Sequence, residues 1–272
     1  LRQGIINNYG LRVTLKKSVM AFLRRLYGSY RGYRKGKNIY AFSEFKLYWR
    51  SRREFNLLKK LSSITLKDIN NLKYIYFPLV TEPETSLHGL AQDFFFQLAA
   101  INMLSRDLPA DYKIIVKEHL PAIGRRPKDF YMQILELKNV EMANPLDLGI
   151  KYIKKSAAVA MITGTAGWEA AAIGIPVISF SKHNAYNFLD HVFYVDNPDD
   201  TSKILKFISN RKYPNDKSHK DGARMHASYI KSSFNFSDKD PWKEWDLKNK
   251  KEENKELIMV LYNNLKINMK IK

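Results

Sequence analysis

Six short apolar runs recur along the chain from residue 73 onward: Lys73–Val80, Lys113–His119, Val140–Asn144, Ala158–Thr163, Val177–Phe180 and Val192–Val195. They are apolar throughout and do not alternate, which is how strands read when both faces of their sheet are covered. Helix-spaced stretches separate them at about 90–106, 127–137, 146–156, 165–173 and 200–210. Strands alternating with helices of that length predict βαβ units and a parallel sheet. The expected fold class is therefore α/β, a Rossmann-like parallel sheet with helices on both faces. The chain shows no internal repeat.

Before residue 73 the pattern is helical. Leu11, Leu15, Val19, Phe22, Leu23 and Leu26 share one face of a predicted helix from Leu11 to Tyr30. Gly28, Gly32 and Gly36 punctuate its end, and a second helix is predicted over about 43–61. After Asn210 the chain turns polar and basic. A helix is predicted near 220–234, the stretch Ser237 to Trp242 breaks it, and a charged helix at about 247–266 follows. The expected organisation is a basic helical segment (1–65), a Rossmann-like domain (66–240) and a charged C-terminal helix (241–272).

Charge changes this picture. The 272 residues include 46 Lys+Arg against 27 Asp+Glu, a net charge of +19. Residues 1–60 hold sixteen Lys/Arg against Glu44 and Glu54, so fourteen of those charges sit in the first fifth, interleaved with tyrosines. Such a region suits an anionic partner, either a membrane surface or a nucleic acid. Cysteine is absent, which excludes disulfides, thiolate metal sites and cysteine catalysis. The least charged stretch, Ser156 to Ser181, contains Glu169 and several turn residues, so it reads as strand, turn, helix and strand, not as a membrane span. No apolar run follows a basic start, so no signal peptide is expected. The chain begins with Leu1, which raises the expectation of a fragment or a processed chain.

Three segments carry candidate chemistry, each following an apolar strand. In the first, Thr163-Gly164-Thr165-Ala166-Gly167-Trp168-Glu169-Ala170, a glycine turn opens a helix. Backbone N–H groups and the helix N-terminus can approach an anion there, and Thr165 adds a hydroxyl. It is neither a Walker A loop nor G-x-G-x-x-G, and the alternative reading is a strand-to-helix turn with glycines for packing. The second segment places Lys117, Glu118 and His119 at the same edge, with Arg125 and Arg126 in the following loop. These groups suit a phosphate or carboxylate, and His119 can move a proton. The bland alternatives are a capped strand-end histidine and solvated arginines. The third segment gathers Glu82, Glu84, Thr85 and Ser86 in one loop. It suits either a base or sugar-hydroxyl contacts, or else a simple helix cap. Asp238-Lys239-Asp240 is a weak metal candidate in a polar breaker, and the histidines show no ligand spacing, so no metal is expected.

Taken in order and spacing, these segments resemble the bacterial capsular polysaccharide biosynthesis family that includes the β-Kdo glycosyltransferases. The resemblance rests on Tyr74-Ile75-Tyr76-Phe77-Pro78-Leu79 with Glu82-Pro83-Glu84, on Val116-Lys117-Glu118-His119 with Gly124-Arg125, on Asn139-Val140, and on Thr163 to Ala170 with Gly174-Ile175-Pro176-Val177. It covers about residues 73–181. Two positions depart from the family pattern: Leu120 separates His119 from Pro121, and Glu82 stands before Pro83 where the family has Gln.

The resemblance implies a GT-B donor domain over residues 73–235, preceded by the end of an acceptor domain. It further implies a glycosyltransferase that takes a nucleotide sugar, CMP-Kdo being the example, to a glycolipid or oligosaccharide acceptor, with no other cofactor. His119 and Glu82 are then the catalytic candidates. Lys117, Glu118, Arg125, Gly164, Thr165, Gly167 and Glu169 are the donor-binding candidates. The implied location is the inner face of the cell membrane, with the basic segment on its anionic surface. Two further readings stand beside it: a noncatalytic accessory of polysaccharide assembly, and a basic nucleic-acid-binding protein, for which no recognition motif is present and nucleic acid is not the expected partner.

Overall fold

The computed structural model of the protein describes residues 2–32, 41–81, 89–91, 94, 96–127, 129–233, 259 and 262. In chain order the elements are α1 (Arg2–Asn7), α2 (Leu11–Tyr30), α3 (Ala41–Leu61), β1 (Lys73–Pro78), α4 (Gln97–Asp107), β2 (Tyr112–Lys117), α5 (Phe130–Leu135), β3 (Val140–Met142), α6 (Gly149–Ile153), β4 (Ala158–Met161), α7 (Thr165–Ala172), β5 (Val177–Ser179), β6 (Val192–Tyr194), α8 (Asp200–Ser209) and α9 (Asp216–Ser232). The charged helix expected near 247–266 lies outside the described residues apart from Met259 and Tyr262.

All six expected strands form, and every pairing is parallel, in the order β3-β2-β1-β4-β5-β6. The strands stop short of the apolar runs that predicted them. Leu79-Val80, Glu118-His119 and Ile162-Thr163 leave the sheet and become the loops at its carboxyl edge. This is the doubly wound order, and its direction reverses between β1 and β4, the place where such sheets open a crevice.

Strand periodicity explains the burial. Ile75 and Phe77 join one apolar cluster with helices α4 and α8, including Ile101, Leu104 and Leu205. Tyr74 and Tyr76, the alternate positions, join a second cluster with Tyr152, Ala170, Ala171 and Met225. One strand thus feeds two cores, so its buried stretch, residues 74–77, has an apolar or aromatic residue at every position. Helix α9 begins four residues before its predicted start because Asn215 and Ser218 form a capping box. Helix α6 begins late because the Asn144 side chain accepts from Leu146 N–H at 2.9 Å, holding a turn ahead of it.

The N-terminal helices dock through α1 and α3. Tyr9 stacks on Phe55 at 4.6 Å, and both sit with Leu58 in the first cluster. The Tyr9 hydroxyl donates to Leu120 O. Buried Glu54 accepts from Gly124 N–H at 2.9 Å and pairs with Arg50 at 2.7 Å, and Arg50 also donates to Arg126 O. The basic segment is thereby latched to the loop that carries His119. Helix α2 packs on α3 alone among the numbered helices with more than marginal contact, and it turns its predicted apolar face outward.

Candidate functional site

The carboxyl ends of β1, β2 and β4 border two hollows of about 330 and 240 Å³. Pro78, Leu79, His119 and Ala166 line both, so the two make one crevice over the β1/β4 reversal. Tyr76, Lys117, Gly149 and Glu169 add to the larger hollow, and Thr81, Gly164 and Thr165 add to the smaller.

Gly164 sits at φ +123°, ψ 178°, outside the range open to side-chain-bearing residues. This lets the chain turn sharply from β4 into α7. Thr165 is the first helical residue and is exposed, so the first-turn N–H groups of α7 meet the crevice without intrahelical acceptors. Gly167 has a different task. It is buried, and a Cβ there would overlap the Tyr186 hydroxyl, so the missing side chain permits close packing. The packing alternative fits Gly167, while the turn itself remains open to a ligand.

The second motif divides in the same way. Lys117 is 8% exposed, with Nζ 3.3 Å from Pro145 O and 3.4 Å from Glu118 O, which holds its charge in the wall of the larger hollow. His119 is exposed on the ridge between the hollows. Glu118 also lines the larger hollow, and its wholly buried carboxylate is fully engaged. Its Oε2 accepts from Arg126 Nε at 2.8 Å and Tyr131 OH at 2.9 Å, and its Oε1 accepts from Arg126 Nη2 at 2.8 Å and His119 N–H at 2.7 Å. Burial, and then the Glu118 charge, pushes the Tyr131 hydroxyl far above its ordinary range, so it stays a donor.

The two loop arginines go opposite ways. Arg125 is exposed and lines neither hollow, whereas Arg126 is among the most buried side chains of the protein. The expected pair of solvated or anion-holding arginines is therefore corrected: Arg126 is internal because Glu118 and Val80 O take its donors. The sequence offers no signal for this, since neighbouring arginines look alike. Gln97 was likewise missed. Its side-chain amide brackets Val80 from both sides, accepting from its N–H at 2.8 Å and donating to its carbonyl at 2.9 Å.

Glu169 lines the same hollow as Lys117, and desolvation raises its carboxyl above the ordinary value. Glu82 and Glu84 lie outside the described residues, as do Asp238 and Asp240; Thr81, just before Glu82, lines the smaller hollow. Among the described residues no three His, Asp or Glu side chains gather as metal ligands, and no helix is long and apolar enough to cross a membrane. The crevice thus combines a cation, an imidazole, a helix N-terminus and a carboxylate. That set can hold a phosphate or carboxylate and orient hydroxyls next to it.

No family model matches the chain, and no curated protein matches it. Among solved structures it is similar to the β-Kdo 2,7 transferase of Thermosulfurimonas dismutans KpsC, at 16% identity and TM-score 0.39, over 65% of this chain and 51% of that one. It is similar to the β-Kdo 2,4 transferase of the same KpsC, at 12% identity and TM-score 0.34, over 60% of this chain and 54% of that one. It is also similar to the UDP-GlcNAc 2-epimerase of Methanocaldococcus jannaschii, solved in complex with UDP-GlcNAc and UDP, at 13% identity and TM-score 0.41, over 68% of this chain and 52% of that one. The chain spans about half the length of each of these structures.

Proposed function

We propose that the chain is the donor-binding half of a GT-B-type glycosyltransferase of surface or capsular polysaccharide assembly. The observation that carries this reading is the single crevice at the β1/β4 reversal, where His119 and the Gly164-Thr165 turn meet. It is the place where a doubly wound sheet takes a nucleotide, and its side chains are those of the family that the sequence resembles.

In this reading a nucleotide sugar, with CMP-Kdo the first donor to test, sets its phosphate against the N-terminus of α7. The bond between the anomeric carbon and the phosphate oxygen breaks as an acceptor hydroxyl oxygen bonds to that carbon. The leaving nucleotide keeps the electron pair, and the hydroxyl proton passes to a base. Lys117, His119 and the helix N–H groups stabilise the developing phosphate charge, the kind of electrostatic term that dominates many transfer reactions. In the same reading Glu169, which lines the larger hollow, accepts from ribose or sugar hydroxyls. Glu82 is the candidate base or acceptor contact, and a glycolipid or oligosaccharide is the acceptor.

The test is calorimetric titration of the full chain with CMP, CMP-Kdo, UDP and UDP-GlcNAc, repeated with His119→Ala and Thr165→Val. Binding of one nucleotide that weakens about tenfold or more in the variants supports the site, since that equals about 1.4 kcal/mol for a lost contact. Absence of binding by every nucleotide, or binding indifferent to both substitutions, discards it.

A further inference from the structure

Helix α2 packs inside out. The residues it buries are small or polar: Thr14, Ser18 and Ala21 are 1–6% exposed. Its large apolar row, Leu15, Val19, Phe22 and Leu26, is 46–60% exposed. That row, with Phe45 and Trp49 of α3, lines an open groove of about 840 Å³ that carries Arg25 and Lys46 at its side. A helix at home in water does the opposite, burying its large apolar side and showing its polar one. Helices that pack through small residues and turn large apolar ones outward do so where the surroundings are lipid.

The charges decide how deep such a helix sits. Helix α2 carries Arg12, Lys16, Lys17, Arg24 and Arg25 and no acidic residue. Five cations preclude a crossing of the bilayer but suit a helix lying in its interface, with the apolar row among the acyl chains and the cations at the head groups. We infer that the α2–α3 hairpin is an anchor for an anionic membrane surface, seated through Leu15, Val19, Phe22 and Leu26 and held by the lysines and arginines beside them. A second copy of the chain is a poor occupant of the same face, because it would bring two sets of like charges together. The inference stands apart from the sugar-transfer reading, since it uses no residue of the crevice.

The test is co-sedimentation of the full chain with vesicles of phosphatidylcholine alone and of phosphatidylcholine mixed with phosphatidylglycerol, at low and physiological salt. The expected result is binding to the mixed vesicles that weakens with salt and is at least tenfold lower on phosphatidylcholine. Phe22→Ser with Leu26→Ser should lower binding about tenfold or more through lost apolar burial. Lys16→Gln with Arg25→Gln should lower it roughly tenfold through lost attraction to the head groups. Lys16, Phe22 and Leu26 are exposed and Arg25 is half-buried, and circular dichroism verifies that both variants stay folded. Binding that ignores lipid charge, binding unchanged in both variants, or no binding at low salt overturns the anchor. So does a dimer abolished by Phe22→Ser without any vesicle binding, which assigns the face to a second copy.

Discussion

Arg126 and Glu118 form a two-pronged ion pair whose side chains are wholly buried, each prong 2.8 Å long. The pair ties together two loops of the crevice: Glu118 holds the His119 N–H, and Arg126 holds Val80 O at 2.6 Å. It thereby fixes where the chain leaves β2 and β1. Arg126→Ala strands a carboxylate in the interior and should cost about 3–5 kcal/mol in urea unfolding. Arg126→Lys keeps the charge but not the fork, and should recover only part of that. A loss below about 1 kcal/mol for Arg126→Ala would mean that water reaches the pair.

His119→Ala should leave the unfolding midpoint nearly unchanged, because the side chain is exposed. If the crevice transfers sugar, the same change should lower kcat/KM with the active donor by about 2–4 kcal/mol of barrier, the range for losing one donor to developing charge. Steady-state rates with CMP-linked and UDP-linked sugars measure this. Unchanged rates would return His119 to the ordinary capping role.

Gly167 and Tyr186 give a packing test. The Tyr186 hydroxyl is buried without a hydrogen-bond partner among the described residues. Tyr186→Phe should therefore be neutral or slightly stabilising, as no hydrogen bond is lost. Gly167→Ala should cost about 1–3 kcal/mol by overpacking, and less in the Tyr186→Phe background, where the hydroxyl is gone. Thermal unfolding of the three variants forms the cycle. Additive effects would show that the two groups do not meet.

His191 supplies the pH dependence. It is buried, with Nε2 3.0 Å from Ala171 O. Burial lowers its pKa below the ordinary 6.5, while the Ala171 contact, Asp221 and Asp190 pull upward and Lys217 pulls down. On acidification through the ordinary value the unfolded chain takes a proton that the folded chain refuses, so stability is full above that value and falls below it. The slope is at most about 1.4 kcal/mol per pH unit. Urea midpoints at about pH 7.5 and 5.5 should converge in His191→Gln, which removes this titration. An equal pH slope in the variant would place the acid sensitivity elsewhere.

The sheet was legible in the sequence because β1 to β6 are apolar on both faces, and a run such as Tyr74 to Phe77 has no other place to go. The turn at Gly164 was legible for a related reason: glycine after an apolar run and before a helix-spaced one marks a sharp change of direction. The loop behind His119 was not. Whether Glu118 or Arg126 faces a ligand or the interior depends on Tyr131 and Val80, which only the folded chain brings beside them. Helix α2 was legible as a helix with one apolar face, but not in where that face points. Thr14, Ser18 and Ala21 give α3 a close-packing surface, and hydrophobicity alone cannot foresee that they win.

The sheet also has a seam. Strand β1 pairs with β2 through six residues but with β4 through two, Ile75 with Ala158 and Tyr76 with Val159. Residues 73–142 build one side of that joint and residues 158–194 the other. His119 stands on the first and Thr165 on the second. Any molecule gripped by both works as a rivet across that joint. At a hundredfold excess over its Kd such a molecule adds about 2.7 kcal/mol to the folded state, delivered at the joint between the two halves of the sheet.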